Sequence, residues 1–396
     1  MRLLVIFHRL GPYHYARLRA ANKVRSLVAL ELSGRDKTYA WSPITGDGEF
    51  ERHVVFPAAD SESLAGRVIF EEVGKKLELI QPDVVAIPGL YDKGALSSLM
   101  WCNDNNVPCI LMSDTTERDF TRHAWREWIK RQVAAYYSAA LVGGQPQKNY
   151  ICKLGMSQDR VFTGYDVVDN EYFSDRVAQV RENASRYRRE YSIPERFFLS
   201  STRFIPRKNL SGLITAYAEY RKRAAAPWDM VVLGDGELMP QVRQRVSALD
   251  MQDHVILPGF RQYKELPVYY GLASCYIQAS TAEPWGLTVN EAMASGLPVL
   301  VSHACGCVPD LLREGMNGFA FDPRDAADVA DKMHRMSEMD GRLATMGRMS
   351  RQIISGWGCN WFAANLWKAA ERACRAPVHN HGRLGSLVLK TLVFAR

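Results

Sequence analysis

The stretch STAEPWGLTVNEAMASGLPVLVS, residues 280–302, sets two glutamates, Glu283 and Glu291, around a Pro-Trp-Gly turn and a short apolar run. Thr288 and Glu291 spell T-x-x-E ahead of that run, a helix-start pattern in which Glu291 would bond back to the Thr288 backbone. Gly296 then ends the helix and Pro298 opens a strand, VLVS. Capping alone leaves Glu283 and the turn without a purpose. Pro284, Trp285 and Gly286 would aim the N–H groups of Leu287 and Thr288 outward, and a helix N-terminus of this kind favours a phosphate. A carboxylate just before it repels phosphate, so Glu283 calls for a neutral polar partner such as sugar hydroxyls. One anion beside one polyol points to a nucleotide sugar.

Working outward, short β-branched runs alternate with helical patterns along the whole chain. LLVIF, SLVALEL, HVVFP, DVVAIPG, PCILMSD and AALVGG come before residue 165. FFLSSTRF, DMVVLGDG, HVILPGF, CYIQAS and PVLVS come after residue 195. Such alternation reads as βαβ units with parallel sheets. It predicts two tandem doubly wound α/β domains, residues 1–165 and 196–356, joined by a polar, arginine-rich linker and helix over 166–195. Open sheets of this type bind ligands beyond the carboxyl ends of their strands, so a cleft between the domains is the expected site. A helix over 357–376 and a basic, apolar tail over 377–396 follow.

In STRFIPRKNLSGLITAY, Arg203 follows a strand and Lys208 precedes a helix. Arg can clamp phosphate oxygens as a fork and Lys supplies a movable charge. A solvated basic turn is the alternative for this pair alone. In VVLGDGEL, Gly234 and Gly236 are donor-binding candidates, a turn after a strand that allows close backbone approach, without the third glycine of a dinucleotide fingerprint.

Taken in order, STRFIPRKNLSGLITAY, VVLGDGEL, VILPGF and EPWGLTVNEAMASGLPVLVS resemble the donor-binding domain of family 4 retaining glycosyltransferases. The dense part of the match covers residues 197–325, and the two glutamates separated by seven residues are its most specific element. The resemblance implies the GT-B fold, with two Rossmann-like domains facing a cleft. It implies that Glu283 contacts the donor sugar and Glu291 the ribose. Arg203 and Lys208 would bind the diphosphate with the backbone of Gly286, Leu287 and Thr288, and the loop holding Gly259 and Phe260 would border the base. The helix over 357–376 would return across the cleft. No cofactor and no metal ligand is expected, and the chain holds no D-x-D triplet.

The sequence departs from the family where HACGCVPD replaces a Gly-Gly turn and a following Glu, putting Asp310 at the acidic position. The glycine-rich loop after the first strand is reduced to HRLGPYHYARL, where Pro12 can start a helix at its first position. Acceptor-side candidates are His8, Gly11, Tyr13 and His14 on that loop, and Asp114 after PCILMS.

With 47% apolar and 23% charged residues, a chain of 396 residues is expected to fold as two globular domains. A formal charge of +7 favours phosphate-bearing ligands or an anionic membrane surface, without the density of a nucleic-acid binder. The opening LLVIF is too short for a signal peptide, no run spans a membrane, and eight scattered cysteines without a C-x-x-C pair fit a reducing cytoplasm. Arg118, Arg122, Arg126 and Lys130 recur every fourth residue near Trp125 and Trp128. On a helix they would make one basic stripe, a contact for a membrane or lipid-pyrophosphate acceptor or simply a solvated face. The expected activity is sugar transfer from a nucleotide-diphosphate sugar to a glycan or glycolipid. The alternatives are another GT-B enzyme, such as an epimerase or phosphorylase, and a silent sugar-nucleotide binding subunit.

Overall fold

The computed structural model describes residues 1–34, 48–119, 121–376 and 383–394. Two compact units result: Met1–Val167 together with Trp357–Arg396, and Val168–Gly356.

The first unit is built on a parallel sheet of order β3-β2-β1-β4-β5-β6-β7. Its strands are β1 (Leu3–Phe7), β2 (Leu27–Ser33), β3 (Glu51–Phe56), β4 (Val84–Pro88), β5 (Cys109–Ser113), β6 (Ala139–Val142) and β7 (Val161–Thr163). Between them run α1 (Pro12–Val24), α2 (Gly66–Ile80), α3 (Lys93–Asp104), α4 (Ala124–Ala135) and α5 (Gln145–Lys153). All five residues of LLVIF are buried, because a parallel sheet covered on both faces needs apolar side chains on both. Leu4 and Ile6 pack in one core with α2, α3 and α5, while Leu3, Val5 and Phe7 pack in the other with α1.

The second unit opens with α6 (Asn170–Glu182) and α7 (Ala184–Tyr191), followed by β8 (Phe197–Ser201), α8 (Leu210–Arg223), β9 (Asp229–Leu233) and α9 (Met239–Ala248). Next come β10 (Val255–Gly259), α10 (Leu266–Leu272), β11 (Cys275–Gln278), α11 (Leu287–Ala294), β12 (Val299–Ser302) and α12 (Val308–Leu311). It ends with β13 (Gly318–Phe321), α13 (Ala326–Ser337) and α14 (Asp340–Ser355). The parallel order is β10-β9-β8-β11-β12-β13. The strand order reverses beside β8, whose neighbours are β9 and β11, and such a switch point opens a crevice at the strands' carboxyl ends.

Two helices of the first unit follow, α15 (Cys359–Arg375) and α16 (Arg383–Phe394). Phe362, Leu366 and Trp367 of α15 sit in the core beneath α1, and Trp367 Nε1 donates to the Ala21 carbonyl at 2.9 Å. Leu389 and Val393 of α16 complete the opposite core, so the described part of the tail is a packed helix.

Residues 166–195, read from the sequence as an interdomain linker and helix, hold more than one helix. They form two helices broken at Asn183, and Arg181 ties α6 into the second unit by donating to the carbonyls of Gly271 and Ser295 at 3.0 and 2.9 Å. Burial and the nearby Arg351 cation push the pKa of Arg181 down to about 10.

Candidate active site

The turn before α11 is made by Gly286, which caps the helix at φ 109°, a left-handed conformation that a side chain strains. The helix therefore starts at Leu287, and Glu291 falls at its fifth position, out of reach of a capping box. The capping reading of T-x-x-E fails on this frame. Glu291 is fully buried and accepts the Tyr270 hydroxyl at 2.6 Å. The first-turn N–H groups of Leu287 and Thr288 are left as donors that an α-helix cannot use itself.

Thr288 is held from behind. Its hydroxyl donates to Gln278 Oε1 at 3.2 Å, and the Tyr276 hydroxyl, with one proton to give, lies 2.6 Å from both Gln278 Oε1 and Thr288 Oγ1. Gln278 Nε2 in turn donates to Ser280 Oγ at 2.8 Å and to Glu283 Oε2 at 3.2 Å, and Ser280 adds its own bond to the same oxygen at 3.2 Å. Lys208 closes the network by ion-pairing with Glu283 Oε2. Three donors converge on one oxygen of Glu283, and Oε1 is the oxygen they do not engage. Tyr276, Gln278 and Ser280 went unnoticed in the sequence, although their spacing of two along CYIQAS was the readable signal: three polar groups on one face of a buried strand.

The segment around Glu283 is fixed by the Cys-Gly-Cys turn. Gly306 N donates to the Glu283 carbonyl at 2.9 Å and Cys307 N to the Trp285 carbonyl at 3.2 Å. Asp310 lies in the first turn of α12, where its N–H bonds the Cys307 carbonyl at 3.1 Å.

Arg203 lies half-buried on the loop after β8. That loop touches the one after β9, since Phe204 N donates to the Asp235 carbonyl at 2.8 Å and Leu238 N to the Phe204 carbonyl at 3.0 Å. Gly234 makes this approach possible: at φ +128° a Cβ would lie 1.7 Å from the Thr202 carbonyl oxygen. Gly236, at φ +153°, would place one 2.7 Å from the Phe204 oxygen. Loop packing therefore accounts for both glycines without a ligand. Gly259 ends β10 at φ +87°, Phe260 follows it, and Tyr263 further along stacks on Tyr172 at 4.8 Å.

In the first unit, α1 begins at Pro12 with Gly11 as its cap, and Gly11 N donates to His14 Nδ1 at 3.1 Å. The His14 ring lies 4.3 Å from the Phe7 ring. Burial and the nearby Arg17 cation push its pKa down to about 3, so it stays neutral with its proton on Nε2. His14 is thus an uncharged donor in the first turn of α1, which also carries Tyr13; the sequence expectation put both on the preceding loop, but Pro12 starts the helix ahead of them. His8 Nε2 lies 3.6 Å from Asp60 Oδ1, and a ring nitrogen of His8 groups with carboxylate oxygens of Glu62 and Asp92 within 4.8 Å. Asp92 caps α3 through Ala95 N at 2.8 Å and Asp60 bonds Glu62 N at 3.1 Å, which explains two of these acids as helix-start residues. Asp114 is exposed beyond β5, and its charge adds to the desolvation that raises the pKa of half-buried Tyr165.

The two parallel-sheet units are those of the GT-B fold, and the second carries the paired-glutamate site on the switch-point side of its sheet. The family model for glycosyl transferases group 1 matches residues 183–353, most of the second unit. A stretch of 143 residues is 33% identical to alpha-monoglucosyldiacylglycerol synthase of Streptococcus pneumoniae, covering 36% of this chain and 32% of that one. A stretch of 188 residues is 27% identical to a GDP-mannose-dependent alpha-(1-6)-phosphatidylinositol monomannoside mannosyltransferase of Mycobacterium tuberculosis, covering 45% and 48%. The chain thus spans half or less of the length of these curated relatives. Among solved structures, Anabaena HepE in complex with UDP and glucose superposes with a TM-score of 0.71 at 16% identity, over 94% of this chain and 99% of that one. No helix among the described residues is long and apolar enough to cross a membrane.

Proposed function

We propose that this chain is a glycosyltransferase that moves a sugar from a nucleotide-diphosphate sugar to a glycan or lipid-linked acceptor, with retention of configuration and without a metal or other cofactor. The observation that carries the reading is the buried network joining Lys208, Glu283 and Thr288 at the start of α11, with Glu291 one turn further on. The bound UDP and glucose of the Anabaena structure and the glycolipid products named for the relatives support it. We place the reaction in the cytoplasm, in the synthesis of a surface polysaccharide or glycoconjugate.

Cleaving a glycosyl-phosphate bond gathers negative charge on the leaving diphosphate. Donors fixed in place before the reaction stabilise that charge most where it is greatest, in the transition state. Arg203 and the N–H groups of Leu287 and Thr288 take this role. Lys208 has three donors, so it can hold Glu283 and still offer one to a phosphate oxygen. Glu283, steadied through Oε2, presents Oε1 to hydroxyls of the donor sugar. Glu291 accepts from the ribose, and the loop at Gly259 and Phe260 borders the base. His8, Gly11, Tyr13, His14 and Asp114 of the first unit serve the acceptor.

A thermal-shift screen in EDTA against UDP, GDP, ADP, dTDP, CMP and their sugar conjugates tests the reading. At a hundredfold excess over Kd a ligand adds about 2.7 kcal/mol. Stabilisation by one diphosphate family, followed by transfer from its sugar conjugate, is the expected result. If Glu283→Gln and Glu291→Gln both left donor binding and turnover unchanged, the site assignment would be wrong.

A further inference from the structure

The basic stripe expected from Arg118, Arg122, Arg126 and Lys130 does not form. α4 begins at Ala124, so Arg118 and Arg122 precede it. Arg122 turns onto Tyr150, with its guanidinium carbon 4.6 Å from the ring centroid, and Lys130 is buried with Nζ 2.8 Å from the Tyr150 hydroxyl. The acids are drawn away as well. Glu127 takes Arg122 and Lys130 at 3.1 and 2.9 Å and the Tyr150 hydroxyl at 2.8 Å. Glu117 pairs with Lys153, and Asp119 bonds both the N–H and the hydroxyl of Thr116 at 2.6 Å.

What remains outside is a different surface. Trp125 and Trp128 are 60% and 43% exposed, among the largest apolar side chains the molecule shows to solvent. Arg126 and Arg131 are exposed on the same helix, and the Arg126 guanidinium lies 5.0 Å from the Trp125 ring. α16 packs beside α4 and adds Leu387, 62% exposed, and the exposed Lys390, in a segment, 377–396, without a single acid.

We propose that this face of α4 and α16 docks on a bilayer surface rich in anionic lipid. Indole rings seat at the headgroup level, and each nearby arginine or lysine gains from the negative surface potential. A second copy of the chain fits poorly, because two like faces would bring cation against cation. The inference does not rest on the transfer reaction, since its test reads partitioning alone.

The experiment is co-sedimentation of the full chain with vesicles of phosphatidylcholine, with and without phosphatidylglycerol, together with tryptophan emission. Binding confined to the anionic vesicles, weakened by salt and accompanied by a blue shift, is expected. Arg126→Gln with Arg131→Gln should lower partitioning roughly 30-fold, about fivefold for each charge. Trp125→Ala with Trp128→Ala should abolish the blue shift while the parent's cooperative thermal unfolding persists, showing an intact fold. Failure to bind anionic vesicles, or binding that ignores both double variants, overturns the proposal. So does concentration-dependent self-association that the tryptophan variant removes, or capture of soluble polyglutamate that it leaves unchanged, since these assign the face to a second copy or to an acidic protein.

Discussion

The Tyr270 hydroxyl donates to Glu291 Oε2 at 2.6 Å, across 21 residues of sequence, inside a core where Glu291 has no exposure to water. A buried carboxylate without such a donor is costly, so Tyr270 sets both the presence and the aim of the carboxylate assigned to the ribose. Phe173 packs edge-on against the Tyr270 ring at 5.8 Å, and a phenylalanine would keep that contact. Tyr270→Phe should therefore cost about 1–3 kcal/mol of stability and weaken nucleotide binding roughly tenfold. Denaturant titration and nucleotide titration check the two effects separately, and unchanged affinity would free Glu291 from the nucleotide.

Lys208 and Glu283 are both nearly buried, at 12% and 10% side-chain exposure. Removing only the lysine strands a carboxylate, a loss of about 3–5 kcal/mol for a fully buried pair and somewhat less here. Lys208→Met should thus destabilise the fold more than Lys208→Met combined with Glu283→Gln. A double-mutant cycle by urea unfolding measures the difference, and additive values would show that the pair is not coupled.

Arg203→Ala should remove about 2–4 kcal/mol of transition-state stabilisation, or roughly 30- to 1000-fold in turnover. Single-turnover transfer rates provide the check. A fall smaller than threefold would take Arg203 out of the site.

Gly234→Ala would drive a Cβ against the Thr202 carbonyl in a backbone conformation that alanine resists. The loops after β8 and β9 must then separate, moving Arg203. A destabilisation above about 2 kcal/mol with weakened diphosphate binding is expected, read by calorimetry with and without nucleotide. A variant matching the parent in both would show that the close approach is dispensable.

The pKa of His14, lowered to about 3, makes a pH prediction. Its folded value lies below the ordinary one near 6.5, so the unfolded chain binds the extra proton first. This contribution to stability is complete above about pH 6.5 and is lost as pH falls toward 3, with a slope of at most about 1.4 kcal/mol per pH unit. Glutamine at position 14 can keep the bond from Gly11 N without titrating. The variant should lose less stability between pH 6 and 4, as followed by urea midpoints, and parallel curves would refute the assignment.

The strands were legible because sheets covered on both faces write themselves as apolar runs such as LLVIF. Glu283, Glu291, Lys208 and the α11 start were legible as residue types at a fixed spacing. Partners were not. Nothing in the sequence ties Tyr270 to Glu291, since that bond depends on how α10 leans on α11. The T-x-x-E pattern misled because Gly286, in a left-handed conformation, moved the helix start two residues ahead of its natural frame. The arginine stripe misled for a related reason: spacing by four describes one face only where the helix already exists, and α4 starts after two of its four members.

α15 belongs to the first unit although the whole second unit lies between it and β7. A ribosome therefore releases the second unit as one continuous piece, while the first must wait. Until residues 359–375 emerge, the face of β4, β5 and β6 that Phe362, Leu366 and Trp367 will cover stays bare. A fragment ending at Val167 would carry that greasy sheet face into water. Expressed alone it should cling to chaperones or precipitate, whereas 168–356 has every strand and helix needed to close its own core.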